Sequence, residues 1–251
     1  MEVVKAEKLT KIYGKGDAQT VALIDANLTV QRGELVALLG PSGSGKTTLL
    51  TSICCIIEPT SGRIELDGTC VFDNGWTGVD VRALRRSKIG VVFQAYNLIP
   101  FLTVVENVEL VLHLNGVGEE EARQRALDLL DYLEIGHRWH HYPGEISGGE
   151  QQRAAIARAV ANDPKIVLAD EPTASLDGER GKIVMGMLRK VSRERNAAVI
   201  VVTHDVRMID GFDKVYRISD GRIEGQLRMH AGHWAGDSGM AERGHAAVPG
   251  R

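Results

Sequence analysis

Cysteine is scarce in this chain of 251 residues, and long apolar runs and a strong excess of either charge are missing; each shortage removes a class of protein. Its three cysteines, Cys54 beside Cys55 and Cys70 apart, form neither a disulfide framework nor a spaced metal site, so they read as small hydrophobes. No apolar stretch approaches the roughly eighteen residues of a bilayer-spanning helix. The opening Met1-Glu2-Val3-Val4-Lys5-Ala6-Glu7-Lys8 lacks the long apolar core of a signal peptide, and the expected location is the cytoplasm. Lysine and arginine number 30 against 33 aspartate and glutamate, a net charge of -3, which offers no electrostatic reason for a nucleic-acid partner. No internal repeat is evident. The length suffices for one large α/β domain with a substantial core, alone or with a small appended lobe.

What the chain does contain is organised around Gly40, Pro41, Ser42, Gly43, Ser44, Gly45, Lys46, Thr47 and Thr48. An apolar run at 35–39 precedes this stretch and another at 49–57 follows it, which predicts strand, loop and helix. Glycines let the loop backbone curl its N–H groups inward at a phosphate. Lys46 adds a charge, and the Thr47 hydroxyl can take a place on Mg²⁺. The positive end of the following helix points at the same anion. A nucleoside triphosphate site is the reading that this spacing supports.

A short strand and a turn are expected within 3–13, and a second, alternating strand at 21–30, before the loop. Tyr13 could stack on an adenine face or simply pack on the surface. A strand at 63–66 runs into the Asp67-Gly68 hairpin signal, and another is expected at 89–93. Gln94 at its end could reach a metal or a water at a phosphate, or merely cap the strand. A Pro-punctuated loop and the run 104–114 follow, and from Glu119 the pattern turns helical, with Ala126, Leu129, Leu130 and Leu133 on one face, as a helical insert distinct from the core. His137, His140 and His141 lie close together without a carboxylate or thiol at ligand spacing to complete a metal site. Ser147, Gly148, Gly149 and Glu150 open another helix and form either a second anion cradle or an ordinary cap. The apolar strand 165–169 ends in Asp170 and Glu171. Asp170 suits a metal held through water, and Glu171, on the other side of the strand, could orient a water that attacks a γ-phosphate. A last buried strand, 198–202, closes on His204. Loop, carboxylates and histidine thus fall at strand ends, where open α/β sheets bind ligands.

In order and spacing, the loop at 40–48, Gln94, Ser147-Gly148-Gly149-Glu150-Gln151, Asp170-Glu171, Ser175-Leu176-Asp177 and His204 resemble the nucleotide-binding subunits of ATP-binding cassette transporters. There they stand as Walker A loop, Q-loop, signature, Walker B strand, D-loop and switch histidine. The resemblance covers residues 2 to 225 and implies a P-loop NTPase of α/β class, with a RecA-like core, an antiparallel β subdomain and a helical subdomain at about 95–160; 226–251 is expected as a disordered tail. It implies that Glu171, His204 and Gln94 serve catalysis, that Thr47, Gln94 and Asp170 serve the metal, and that Tyr13, the loop 40–48, Ser147 to Glu150 and Asp177 contact ATP. It further implies a homodimer that sandwiches each ATP between one copy's Lys46 loop and the other's Ser147 segment, and a separate membrane permease. The text at 93–103 and 203–207 is similar to heterocyst-type glycolipid exporters and haem-efflux relatives, within a branch that includes macrolide exporters and lipoprotein-release ATPases. An importer subunit and a non-transport ATPase are the alternatives; a phosphate-loop kinase would have no use for the signature segment. Two departures stand out: Ile146 replaces the usual leucine, and Cys54-Cys55 stands where relatives commonly have glycines.

Overall fold

The computed structural model describes residues 1–230 and 233–236. The chain opens with an antiparallel pair, β1 (Glu2–Tyr13) and β2 (Thr20–Gln31), then β3 (Leu35–Leu39), the phosphate loop and α1 (Lys46–Ile53). A hairpin follows, β4 (Ser61–Leu66) and β5 (Thr69–Asp73), then α2 (Val81–Lys88) and β6 (Ile89–Val92). Three helices make the insert: α3 (Val104–His113), α4 (Glu119–Tyr132) and α5 (Gly148–Val160). The core resumes with β7 (Ile166–Asp170), α6 (Gly178–Glu194), β8 (Ala198–Thr203), β9 (Lys214–Ser219), β10 (Arg222–His230) and β11 (His233–Gly236).

The strands divide into a four-stranded sheet, β2-β1-β4-β5, and a seven-stranded sheet, β11-β10-β9-β3-β8-β7-β6. Strands β9, β3, β8, β7 and β6 run parallel, and the continuous apolar text of β3, β8 and β7 is explained by burial on both faces. Side chains alternate between two cores. Val36, Leu38, Ile166, Leu168, Ile200 and Val202 join the small sheet and α1 on one side. Leu35, Ala37, Val167, Ala169, Val199 and Val201 join α3 to α6 on the other. Each such side chain, fully buried, contributes about 1.5–3 kcal/mol relative to exposure.

The parallel register sets the position of the site. Leu39 pairs with Thr203, Val202 with Asp170, and Ala169 with Val92, so four strands end level along one edge. Everything expected at strand ends therefore meets there.

Two expectations change, and one helix was not anticipated. The short first strand is instead twelve residues long, with register shifts that bend it around α1's side of the core. The expected boundary at 225 falls inside β10, which pairs with β9 through Leu227 opposite Val215 and turns back as β11. Backbone pairing needs no apolar alternation, which is why Gly225, Gln226 and Arg228 gave no strand signal; residues 237–251 lie outside those described. Helix α2 presents only a short apolar face, Val81 and Leu84, half-buried on the small-sheet core; Asp80 starts it by accepting the Arg82 and Ala83 N–H groups, both at 3.0 Å.

Cys54 and Cys55 are buried against the small-sheet core, and burial pushes their thiols up to about 12 and about 11, so both stay protonated packing groups. Cys55 lies at φ +54°, a left-handed conformation that favours glycine, just past the end of α1.

Candidate active site

Leu39 is the last residue of β3, and the chain must then reverse into α1 within six residues. Two glycines make this possible by close approach as much as by conformation. A β-carbon on Gly40 would sit 2.1 Å from the Ile218 carbonyl oxygen, and one on Gly45, at φ +100°, 2.4 Å from that of Ala22. Gly45 occupies the cap position of α1 and offers no side chain, so the first N–H groups of the helix receive no side-chain cap. The buried Lys46 folds back so that Nζ donates to the Gly40 and Pro41 carbonyls, at 2.8 and 2.7 Å. Its pKa is lowered by burial, against the pull of Glu171 and Asp170. Ser44 is buried too, and its Oγ has no hydrogen-bond partner among the described residues. An ammonium, a spare hydroxyl and uncapped N–H groups thus converge on the loop, while Pro41, Ser42 and Gly43 stay exposed on its outer lip. An anion the size of a phosphate fits this set.

Beside the loop, Thr47 Oγ1 donates to Asp170 Oδ1 at 3.3 Å, which joins the start of α1 to the tip of β7. Burial raises the Asp170 carboxyl, adjacent Glu171 adds to this, and Thr47 and Lys46 counteract it. Strand β7 ends at Asp170, so strand alternation does not decide where Glu171 points. Glu171 adopts φ +45°, a strained left-handed conformation, while its N–H still donates to the Val202 carbonyl at 3.0 Å. Its Oε1 comes 3.2 Å from Nδ1 of the exposed His204 at the end of β8. The two line a cleft of about 200 Å³ with Thr173, Leu176 and Asp205.

Ser147 caps α5 in a reciprocal box: its N–H donates to Glu150 Oε2 at 2.8 Å, and its Oγ accepts the Glu150 N–H at 3.4 Å. Burial alone would raise the Glu150 carboxyl, but Ser147 and Arg138 together push it down to about 2. The neighbours of Gly148 are Tyr96 and Leu176 and that of Gly149 is Arg180, none of them from the 40–48 loop. Ser147, Gly149, Arg153 and Arg180 line an open cleft of about 170 Å³.

The remaining predicted residues lie around this arrangement. Asp177 caps α6 by accepting the Arg180 N–H at 2.9 Å and is exposed. Thr48 is half-buried in the first turn of α1. Gln94 stands two residues beyond β6, exposed, and makes no hydrogen bond among the described residues. Tyr13, 39 % exposed at the end of β1, has Lys11 Nζ 5.0 Å from its ring centre. Three residues that sequence reasoning passed over organise the surroundings. Arg158, buried enough to lower its pKa, donates to the Tyr96 and Asn97 carbonyls. The fully buried Asn107 accepts the Ile99 N–H at 2.7 Å and donates to the Ile99, Leu102 and Thr103 carbonyls. Arg138 Nε donates to Glu150 Oε1 at 3.0 Å. A polar residue at an apolar helix position, as at Asn107, was the one available signal.

The family model described as "ABC transporter" matches residues 23–174. The chain is 42 % identical over 231 residues, 90 % of its length and 97 % of the other, to an uncharacterized ABC transporter ATP-binding protein of Methanocaldococcus jannaschii, MJ0796. A structure of MJ0796, titled as a dimer in a post-hydrolysis state bound to ADP and Pi, superposes with a TM-score of 0.81 at 41 % identity, covering 91 % of this chain and 99 % of that one. A putative hemin import ATP-binding protein of Staphylococcus haemolyticus is 42 % identical over 88 % of this chain and 99 % of its own. A macrolide export ATP-binding/permease protein of Paracoccus denitrificans is 39 % identical over 91 % of this chain, which spans only 34 % of that longer protein. Fold, phosphate loop and relatives agree: this chain belongs to the ABC transporter family, as an ATP-binding subunit that hydrolyses ATP.

Proposed function

We propose that two copies of this chain hydrolyse ATP in composite sites, each made of one copy's 40–48 loop and the other copy's Ser147 segment. The observation that carries this reading is the pairing of an uncapped cradle at α1 with an open, glycine-faced one at α5 whose neighbours include nothing from the loop. The MJ0796 structure, a dimer bound to ADP and Pi, supports it. The loop's N–H groups, Ser44 and Lys46 would hold the phosphates; Tyr13 would stack on the adenine, and Asp177 would approach the same nucleotide from the D-loop. Thr47 and Asp170 form a pair of hard oxygen ligands already in contact, with Gln94 beside the same edge, and they fit Mg²⁺, which when bound would offset phosphate charge. Glu171 would orient the attacking water and accept its proton, with His204 holding the carboxylate by the contact at 3.2 Å.

Mixing a Lys46→Ala copy with a Ser147→Arg copy tests the composite site, because one site in the heterodimer then carries both lesions and the other carries neither. Partial ATPase activity is expected to return in the mixture. Proven heterodimers without any activity would sink the reading.

The ATPase would power a separate membrane permease from the cytoplasmic face. Phe101 is 77 % exposed on a loop that Asn107 and Arg158 hold rigidly, while its neighbour Leu98 packs on the helical core. The apolar loop is thus covered in part by its own insert, and Phe101 is the side chain left for a partner. Export is the proposed direction, supported by the macrolide-export relatives, although the name of the Staphylococcus relative says import. Phe101→Asp is expected to leave the melting temperature and basal ATPase of the subunit near wild type and to abolish co-purification with the permease. Retained co-purification overturns the assignment.

A further inference from the structure

Glu150 puts a carboxylate in the first turn of the helix whose N-terminus is proposed to receive a phosphate, where a second negative charge opposes binding. The structure shows how both of its oxygens are occupied. Oε2 accepts the Ser147 N–H at 2.8 Å; Oε1 accepts Arg138 Nε at 3.0 Å, with His137 Nε2 at 3.5 Å. Only 12 % of the carboxylate side chain is exposed. Arg138 ends a 3₁₀ turn (Gly136–Arg138) between α4 and the cradle. That turn is itself anchored: the Arg138 N–H donates to the Ile135 carbonyl, its carbonyl accepts the His141 N–H, both at 2.9 Å, and Arg138 Nη1 lies 3.4 Å from His141 Nε2. The guanidinium therefore sits between Glu150 Oε1 and the His141 ring.

We propose that Arg138 is a positioning residue for the second cradle: it neutralises Glu150 and keeps the carboxylate folded against the Ser147 N–H, so that the helix start presents donors to the phosphate of the nucleotide on the other copy. This rests on the composite-site reading above. In a site built this way the cost of losing Arg138 comes from the charge it leaves behind, so removing that charge as well restores the cradle.

The test is a double-mutant cycle read by two measurements, steady-state ATPase and the sedimentation of dimers formed with a non-hydrolysable ATP analogue. Arg138→Ala is expected to lower kcat and to weaken the nucleotide-dependent dimer, each by on the order of tenfold. Nucleotide affinity of the monomer, measured with a fluorescent analogue at dilution, should stay unchanged, because α1 is untouched. In the Glu150→Gln background the same Arg138→Ala change should cost less than about twofold. Arg138→Lys keeps the charge without the Nε geometry and is expected between wild type and Arg138→Ala; it also serves the cycle if Arg138→Ala melts early. An equal loss in both backgrounds, or a matching loss of monomer affinity, overturns the proposal and leaves Arg138 a fold element. Ser147→Arg separates the two failures. If it dimerises and hydrolyses normally, the composite site fails and takes this proposal with it. An inactive Ser147→Arg beside an uncoupled Arg138 and Glu150 sinks the proposal alone.

Discussion

Two helices in this molecule begin with a small residue followed by donors, and they solve the same electrostatic problem in opposite ways. At α1 the cap is Gly45, left-handed and without a side chain, and the first-turn N–H groups are left for a ligand. At α5 the cap is Ser147, extended, and a reciprocal box with Glu150 meets part of the need internally. The first start is wedged under the main sheet, with a lysine folded over it; the second stands open on the helical insert. A helix end that satisfies itself is stable without a ligand, whereas one left bare gains most when an anion arrives. One helix start is thus committed to a ligand, and the other is already folded without one.

The largest expected effect falls on the committed side. Glu171→Gln keeps the shape at the tip of β7 and removes the charge that would order water, so hydrolysis should drop by on the order of 10²-fold or more while nucleotide binding survives. Single-turnover kinetics and size exclusion with ATP check this together. A Glu171→Gln subunit that turns over normally and stays monomeric with ATP removes Glu171 from the chemistry.

Exchanging the caps tests whether the two starts are interchangeable. If only capping mattered, Gly45→Ser would strengthen α1. The prediction is the reverse, because a β-carbon there would meet the Ala22 carbonyl at 2.4 Å at φ +100°. Strain and overpacking together should cost roughly 2–5 kcal/mol, which thermal melts would record as a drop of several degrees. Ser147→Gly should cost only a few tenths of a kcal/mol in stability. A stabilised Gly45→Ser variant would show that the two starts differ less than their geometry indicates.

The smallest effect belongs to the self-satisfied start. Glu150 titrates at about 2 in the folded chain against an ordinary 4.5, so its pairing stabilises the fold above pH 4.5 and that contribution fades as pH falls toward 2. Between pH 6 and pH 3.5 wild type should lose on the order of 1 kcal/mol that Glu150→Gln does not. Urea titrations of both proteins at the two pH values measure it. Identical losses would mean that the Ser147 and Arg138 contacts do not hold the carboxylate in solution.

Legibility followed sequence separation. The phosphate loop, the Ser147 box and the Asp177 cap each join residues within a few positions of one another, and short-range chemistry of that kind can be read directly. Helix α2 was passed over because its apolar face is only Val81 and Leu84, too short to stand out among Arg82, Arg85, Arg86 and Lys88, although its Asp80 cap could have marked it. The direction of Glu171 was not legible for a related reason: strand alternation does not govern a residue that the backbone has already taken out of the strand at φ +45°.

By itself the sequence determined the motifs, the all-apolar parallel strands and the family, because each depends on neighbouring residues or on a period that burial imposes. Only the tertiary structure decided which side chains share a site. Thr47 and Asp170 are 123 positions apart and Glu171 and His204 are 33 apart, and each pair meets because β3, β8 and β7 lie side by side with their ends level. Sheet order is chosen by the packing of two cores at once, on both faces of every central strand, and no local stretch of sequence carries that information.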